Sequence, residues 1–203
     1  MFQKGRSRTW LGDHGWWLDV VEFQPTDGGR GSYSNVSCMW LWNVKTSISF
    51  DVGSVREEAL HRFENEDQFE RVAEFLAGKA RERVLHYRSL FPSIEAVSDY
   101  HRSYLSQDDR VAGWPCFNAA IAHGLCGRIE DALHAFSRSF VDVDSSIEWQ
   151  RKAHEDTRYL ETIVRNADLF RQTIADRIAR TRALQKHPPV NIDFDSSALL
   201  ARR

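Results

Sequence analysis

A tryptophan-rich run near the start of the chain decides the fold: Trp16-Trp17-Leu18-Asp19-Val20-Val21-Glu22-Phe23-Gln24. Aromatic and β-branched residues favour a β-strand, and successive side chains of a strand point to opposite faces. Alternation puts Trp17 and Val21 on one face and Leu18 and Val20 on the other, so both faces are apolar. We therefore predict a strand over residues 16–24 whose two faces are both covered by the rest of the chain.

The strand pattern extends on both sides of this run, from residue 8 to residue 51. Aromatic and β-branched blocks are separated there by segments rich in Gly, Asp, Pro and Asn, which favour turns. The pattern predicts four antiparallel strands in a meander, over residues 7–11, 16–24, 32–42 and 46–51.

From residue 54 onward the apolar residues recur at helical spacing. Capping patterns, in which Ser or Asn precedes Glu or Gln by three residues, predict helices that begin near Val55, Glu66 and Ser146. Further patterns predict a short helix over residues 93–105, a helical hairpin over 115–140 and one long helix over 146–185.

The expected fold class is α+β. An N-terminal four-stranded antiparallel sheet packed by helices is followed by an all-helical C-terminal half. We divide the chain into a sheet domain over residues 1–92, a helical region with the hairpin and the long helix over residues 93–187, and a flexible tail over residues 188–203.

The composition narrows the class of protein. A net charge of -2 gives no overall attraction to nucleic acid or to anionic lipid. No run approaches the roughly 18 apolar residues of a membrane helix, and the first residues lack a secretory apolar segment. The 3 cysteines are widely spaced, which favours reduced thiols. We therefore expect a cytoplasmic chain that enters no membrane and does not have nucleic acid as its partner.

Two patterns in the sequence contain residue types that bind metals. An acid precedes a histidine by three residues at Glu58 and His61 and again at Asp131 and His134, a spacing that di-iron helix bundles use. A helical projection places both pairs on the outward face. Three soft ligands at Cys116, His123 and Cys126 lack the close cysteine pair of a zinc site. We therefore predict no metal and no cofactor.

Polar side chains interleave with the aromatic residues of the predicted sheet. Five of the 7 tryptophans lie in the first 42 residues, more than a small sheet needs to fill its core. Either this cluster is a binding surface or its indoles fill the space between sheet and helices. The candidate binding residues are Trp10, Asp13, His14, Trp16, Trp17, Gln24, Tyr33 and Asn35.

Two features of the last predicted helix suit either packing or binding. An apolar stripe at alternating spacings of three and four residues indicates a helix packed on its own chain, or alternatively a homodimer. The stripe consists of Leu160, Ile163, Ala167, Phe170, Ile174, Ile178 and Thr181. The end of the helix is basic, which would suit an acidic partner but also complements the helix dipole. These cations are Arg171, Arg177, Arg180, Arg182 and Lys186.

Four segments together resemble a bacterial domain of unknown function, number 4304. They are Lys4-Gly5-Arg6-Ser7-Arg8-Thr9-Trp10, Asp13-His14-Gly15-Trp16-Trp17-Leu18, Val21-Glu22-Phe23-Gln24-Pro25 and Gly31-Ser32-Tyr33-Ser34-Asn35-Val36. The similarity covers roughly the first 90 residues. It implies an α+β sandwich and no established activity, and it implies a helix before the Lys4 segment, so we expect that the natural start lies upstream of Met1.

Function remains open between two classes. The first hypothesis is a non-enzymatic protein-binding module of the immunity or accessory type found among small bacterial cytoplasmic proteins. The alternative is a small-ligand-binding, hydrolytic or nucleic-acid-processing protein with its site around Asp13, His14, Gln24 and Asn35. Convergence of these side chains in one concave pocket would favour the alternative, and packing under helices would favour the first.

Overall fold

The computed structural model describes residues 1–5, 7–26, 31–53 and 61–195. Its sheet has five strands in chain order, each antiparallel to its neighbour. They are β1 Phe2–Gln3, β2 Thr9–Asp13, β3 Trp17–Pro25, β4 Gly31–Trp40 and β5 His61–Arg62. The long β3–β4 hairpin is the centre of the sheet, and its two strands correspond to those predicted over residues 16–24 and 32–42.

Helices follow the sheet, so the predicted α+β class with a helical C-terminal half is confirmed. They are α1 Glu66–Leu90, α2 Ile94–Leu105, α3 Trp114–Leu125, α4 Ile129–Ser137, α5 Glu148–Ile163 and α6 Ala167–Leu184. No helix in the described part of the chain combines the length and the apolar character needed to cross a membrane.

The register of the β3–β4 hairpin explains how the sheet is buried on both sides. Trp17 pairs with Trp40 and Asp19 with Cys38, so these four side chains share one face. Phe91, just after α1, contacts Trp17 and Trp40 on that face at 6.1 and 5.2 Å between ring centroids. Leu18, Val20 and Met39 on the other face are also fully buried. The continuous burial of β3 follows from its two apolar faces.

The predicted fourth strand over residues 46–51 is wrong. No strand forms over these residues; the Asp51 N–H donates to the Cys38 carbonyl at 2.9 Å, and the next residue, Val52, forms an isolated bridge with Cys38. The backbone of this segment is satisfied in another way: the Gln185 side-chain amide donates to the carbonyls of Lys45 and Ser47, at 3.2 and 3.1 Å. The Asp51 carboxylate accepts the Trp40 N–H at 2.8 Å, which is where a further strand would have paired.

The helix predicted to begin near Val55 starts outside the described residues. Where the chain is described again, His61 and Arg62 form β5 and pair with Ser32 and Gly31. Phe63, which follows β5, is 49% exposed. Residues 61–63 are therefore not the inner face of a helix.

The predicted long helix over residues 146–185 is two helices, α5 and α6. Residues 164–166 separate the two helices. Asn166 then caps α6, because its side chain accepts the N–H of Leu169. Leu160, Phe170 and Ile174 of the apolar stripe are fully buried inside the chain. A homodimer through these side chains would require the core to open, and dimerisation stays a prediction.

One hydrophobic core joins the sheet to the helical region. The Trp42 indole N–H donates to the Asn118 side chain in α3 at 3.0 Å, across the boundary predicted after residue 92. The C-terminal segment is packed as far as it is described: Phe194 is buried, and Arg171 lies over its ring at 5.5 Å. The flexible tail over residues 188–203 stays a prediction, and residues 196–203 of it lie outside the described part.

Helices α3 and α6 approach closely at Gly124. A Cβ atom added there would lie 2.7 Å from Cε1 of Phe170 and 2.9 Å from Cγ2 of Val164. We expect Gly124→Ala to lower the free energy of unfolding by about 1–3 kcal/mol, because the packed ring has no room to move. Urea denaturation measures the effect.

The matched control is Gly78→Ala. Gly78 is exposed on α1, and no atom lies within 4 Å of an added Cβ. This substitution should raise the free energy of unfolding by about 0.5–1 kcal/mol through helix propensity. Equal effects at the two glycines would contradict the close approach of α3 and α6.

Candidate functional site

The sheet tryptophans belong to the core. Trp16 is 2% exposed and stacks on Trp40 and Trp42, with 6.0 and 5.9 Å between ring centroids. Trp40 and Trp42 stack on each other at 5.1 Å, and all three indoles lie in one buried group. Trp10 is half-buried and meets Phe23 edge to face. The indoles therefore fill the space between sheet and helices, and Trp16 is not free for a ligand.

His14 belongs to a buried charge network. Its Nε2 lies 2.9 Å from Oδ2 of Asp19, and its ring stacks on Trp17 with 4.1 Å between centroids. The same Asp19 oxygen accepts two N–H groups of Arg88, at 2.9 and 2.6 Å. Asp19 is fully buried and His14 is 8% exposed, so the network ties α1 to β3 under the sheet.

Asp13 forms a second ion pair on the other face of the sheet. Arg182 of α6 holds both of its oxygens, with Nη1 at 2.8 Å from Oδ1 and Nη2 at 2.7 Å from Oδ2. Burial acts to raise the pKa of the Asp13 carboxyl, but hydrogen bonds from Arg182 and from the Gly15 N–H outweigh it and hold that pKa below its ordinary value. Asp13 is thus engaged in fixing α6 to the sheet.

Gln24, Tyr33 and Asn35 lie at the opposite end of the β3–β4 hairpin. The Asn35 amide donates to Glu22 Oε2 at 2.9 Å and to Gln24 Oε1 at 3.2 Å, and Asn35 is 1% exposed. Asp13 pairs with Leu18, six residues before Gln24, a separation of roughly 20 Å along a strand. The structure does not bring His14 together with Gln24 and Asn35 in one pocket.

A serine–histidine pair that the sequence pattern did not indicate joins α2 to α3. The Ser98 hydroxyl accepts Nη1–H of Arg128 at 2.8 Å, so its own proton is available to Nδ1 of His123 at 2.7 Å. Burial lowers the pKa of His123 to about 4, and the guanidinium groups of Arg102 and Arg128 act in the same direction. Ser98 and His123 are both buried, so this pair holds two helices together.

A cleft is present among the described residues of the helical region. Its volume is about 660 Å³, and its walls are the loop before α3, the loop between α4 and α5, and the first turn of α5. Three aromatic side chains face it: Trp114, Phe140 and Trp149. A concave site of this size with aromatic walls is typical of a binding site.

The two tryptophans of the cleft are more exposed than those of the sheet, whereas Phe140 is buried. Trp114 is 43% exposed and Trp149 is 55% exposed, and the neighbouring Val141 is 60% exposed. Phe140 has φ 47°, an unfavourable backbone conformation for a bulky residue. Its ring meets Trp114 edge to face at 4.8 Å, and His154 bonds to its carbonyl. The chain therefore holds a strained backbone in place to position this wall.

The cleft also contains charged groups of both signs. Arg110 forms an ion pair with the carboxylate of Asp108, and Nη2 of Arg138 donates to the backbone carbonyls of Asp108 and Val111. Asp109 and Asp142 also line the cleft, and both are exposed. Polar groups at the edge of an aromatic cleft can orient a ligand.

Sequence reasoning missed Trp114 and Trp149 because tryptophan content alone does not separate core from surface. A signal does exist for Trp149, which lies between Glu148 and Gln150 in a helix with few apolar residues. A tryptophan on the polar side of such a helix indicates exposure.

The residues of the two metal patterns have other surroundings as far as the structure describes them. His134 is exposed on α4, Asp131 pairs with Arg102, and Glu58 lies outside the described residues. Among the described residues, no three His, Cys, Asp or Glu side chains come close enough together to hold a metal ion. Comparisons of the chain with protein-family models, with curated proteins and with solved structures found no match.

Proposed function

We propose that this chain is a non-enzymatic protein-binding module of the immunity or accessory type, and that it works in the cytoplasm. The observation that carries the proposal is the cleft that exposes Trp114 and Trp149. Tryptophan is enriched among the residues that dominate binding energy at protein interfaces. All 3 cysteines are free thiols, which supports a reducing compartment.

The geometry supports binding better than it supports the alternative. The residues of the alternative site divide between the Asp19 network, the Arg182 ion pair and the far end of the hairpin. Each group is used to join elements of the fold. The cleft instead leaves large apolar side chains exposed beside polar groups, as an unoccupied interface does. We also retain as a proposal the similarity of residues 1–90 to domain of unknown function 4304.

The proposal predicts that the cleft tryptophans carry the binding energy. With a partner captured from the native host and then purified, we expect Trp149→Ala or Trp114→Ala to weaken binding by 10-fold or more, about 1.4 kcal/mol or above. Isothermal titration calorimetry measures the affinity directly.

Tyr159→Ala is the matched control. Tyr159 is 50% exposed on the same helix as Trp149 but does not line the cleft. It should leave the affinity unchanged. A partner whose affinity falls with Tyr159→Ala and not with either tryptophan variant would show that another surface binds it.

A further inference from the structure

The cations of the cleft are already engaged by the chain itself. Arg110 binds the Asp108 carboxylate through Nε and Nη2, each at 3.0 Å. The Arg138 guanidinium donates to two backbone carbonyls, those of Asp108 and Val111, at 3.3 and 3.0 Å. The charge of Arg110 is thus balanced by Asp108, and the Arg138 guanidinium is bonded to the loop before α3, although both keep N–H groups that these bonds do not use.

Two carboxylates of the cleft, unlike its guanidinium groups, are not engaged by the described part of the chain. Asp109 and Asp142 are exposed, and among the described residues neither carboxylate contacts a cation or a hydrogen-bond donor. Asp142 begins an acidic segment that continues with Asp144 and has no Lys or Arg over residues 141–148, although Glu148 at its end pairs with Lys152. The free charge offered to a ligand at this wall is therefore negative.

The two exposed indoles are also not equivalent. Trp114 already meets Phe140 and Phe117 edge to face, and the Lys45 ammonium lies 5.9 Å from its ring centroid. Trp149 has no ring or cation contact with any described residue. An indole face is the best aromatic partner for an ammonium or guanidinium group. Trp149 thus presents an unused face beside unpaired carboxylates.

We propose that the cleft takes a basic segment of a protein partner, with an arginine or lysine side chain on the Trp149 indole and its charge paired with Asp142. This inference rests on the proposed function and deepens it. Aromatic stacking and a carboxylate together recognise a cation that neither would hold firmly in water alone. Asp109 and the acidic segment add attraction for flanking basic residues.

A library of random displayed peptides tests the inference on the intact chain. Peptides are selected on the wild type and counter-selected on Trp149→Ala. We expect the enriched peptides to share an arginine or lysine. Replacing that residue with citrulline or acetyl-lysine should weaken binding 10-fold or more in fluorescence anisotropy. Asp142→Asn should weaken binding about 3–10-fold, and the loss should shrink at high salt.

Asp168→Asn is the control, since it removes the same charge from an exposed site on α6. It should not change the affinity. Enriched peptides that need Trp149 but share no basic residue would overturn this inference and leave the proposed binding function intact. If no enriched peptide depends on Trp149, the inference falls, and the affinity of the captured partner for Trp114→Ala and Trp149→Ala decides the proposed function separately.

Discussion

Replacement of Arg182 by alanine is expected to lower the free energy of unfolding by about 3–5 kcal/mol. Arg182 is 1% exposed, and all its N–H groups are used. Besides the two bonds to Asp13, it donates to the carbonyl of Gly15 at 2.8 Å and to that of Pro188 at 2.9 and 2.6 Å. Its loss would remove the guanidinium from the Asp13 carboxylate and from these carbonyls. Removal of one partner of a buried ion pair costs free energy because the other charge stays buried without its partner.

Urea denaturation of wild type and variants checks this expectation. Arg180→Ala is the matched control, because Arg180 is exposed two residues earlier on the same helix; its effect should be within about 0.5 kcal/mol. The double variant Asp13→Ala with Arg182→Ala should cost less than the sum of the single variants, since the two groups interact. Equal small losses for Arg180→Ala and Arg182→Ala would contradict a buried network.

Local patterns predicted the elements whose backbone bonds are made within one hairpin or one helix. Alternation placed β3 to within a residue or two, and the Asn65 and Gln68 capping pattern placed the start of α1 at Glu66. The helical hairpin is present as α3 and α4. In each case the period of the apolar residues and the turn chemistry agree with the tertiary environment.

The errors arise where distant residues satisfy the backbone. Residues 46–51 alternate like a strand, but the Gln185 side chain and the Asp51 carboxylate take the bonds that a ladder would use. The break after α5 is marked only by Asn166, and the apolar stripe continues across it because both helices face the same core. A local pattern contains no information on partners so far away in the chain.

Prediction of the candidate site from the sequence has a similar limit. Tryptophan content predicted an aromatic cluster in the first 42 residues, and that cluster exists, but it fills the core. The exposed tryptophans occur singly, at positions 114 and 149, where composition gives no signal. Whether an indole is buried depends on which elements pack over it, and the polar residues around Trp149 are the only local indication of its exposure.

A fall in pH from 7 to 5 is expected to lower stability mainly through His101 and His123; burial also lowers the pKa of His187, which acts in the same direction. Burial, and then the nearby charge of His123, lowers the pKa of His101 to about 3, and the pKa of His123 is about 4. Both rings gain protons near pH 6.5 only when the chain unfolds, so stability is full above that pH and falls as the pH drops toward the folded pKa values. The loss should be on the order of 2 kcal/mol for each histidine by pH 5.

Substitution of His101 separates its contribution to the pH dependence of stability from that of His123. Both ring nitrogens of His101 are buried without a hydrogen-bond partner, and its neighbours are the rings of Trp40 and Tyr100. His101→Phe should therefore fold, remove about half of the loss between pH 7 and pH 5, and retain stability at pH 7. His86→Gln, on the exposed side of α1, should keep the wild-type pH profile. Denaturation curves at several pH values give the slope of the free energy of unfolding against pH. An unchanged slope in His101→Phe would show that His101 does not carry this dependence. A halved slope would assign the dependence to His101, where α2 packs against the tryptophan core.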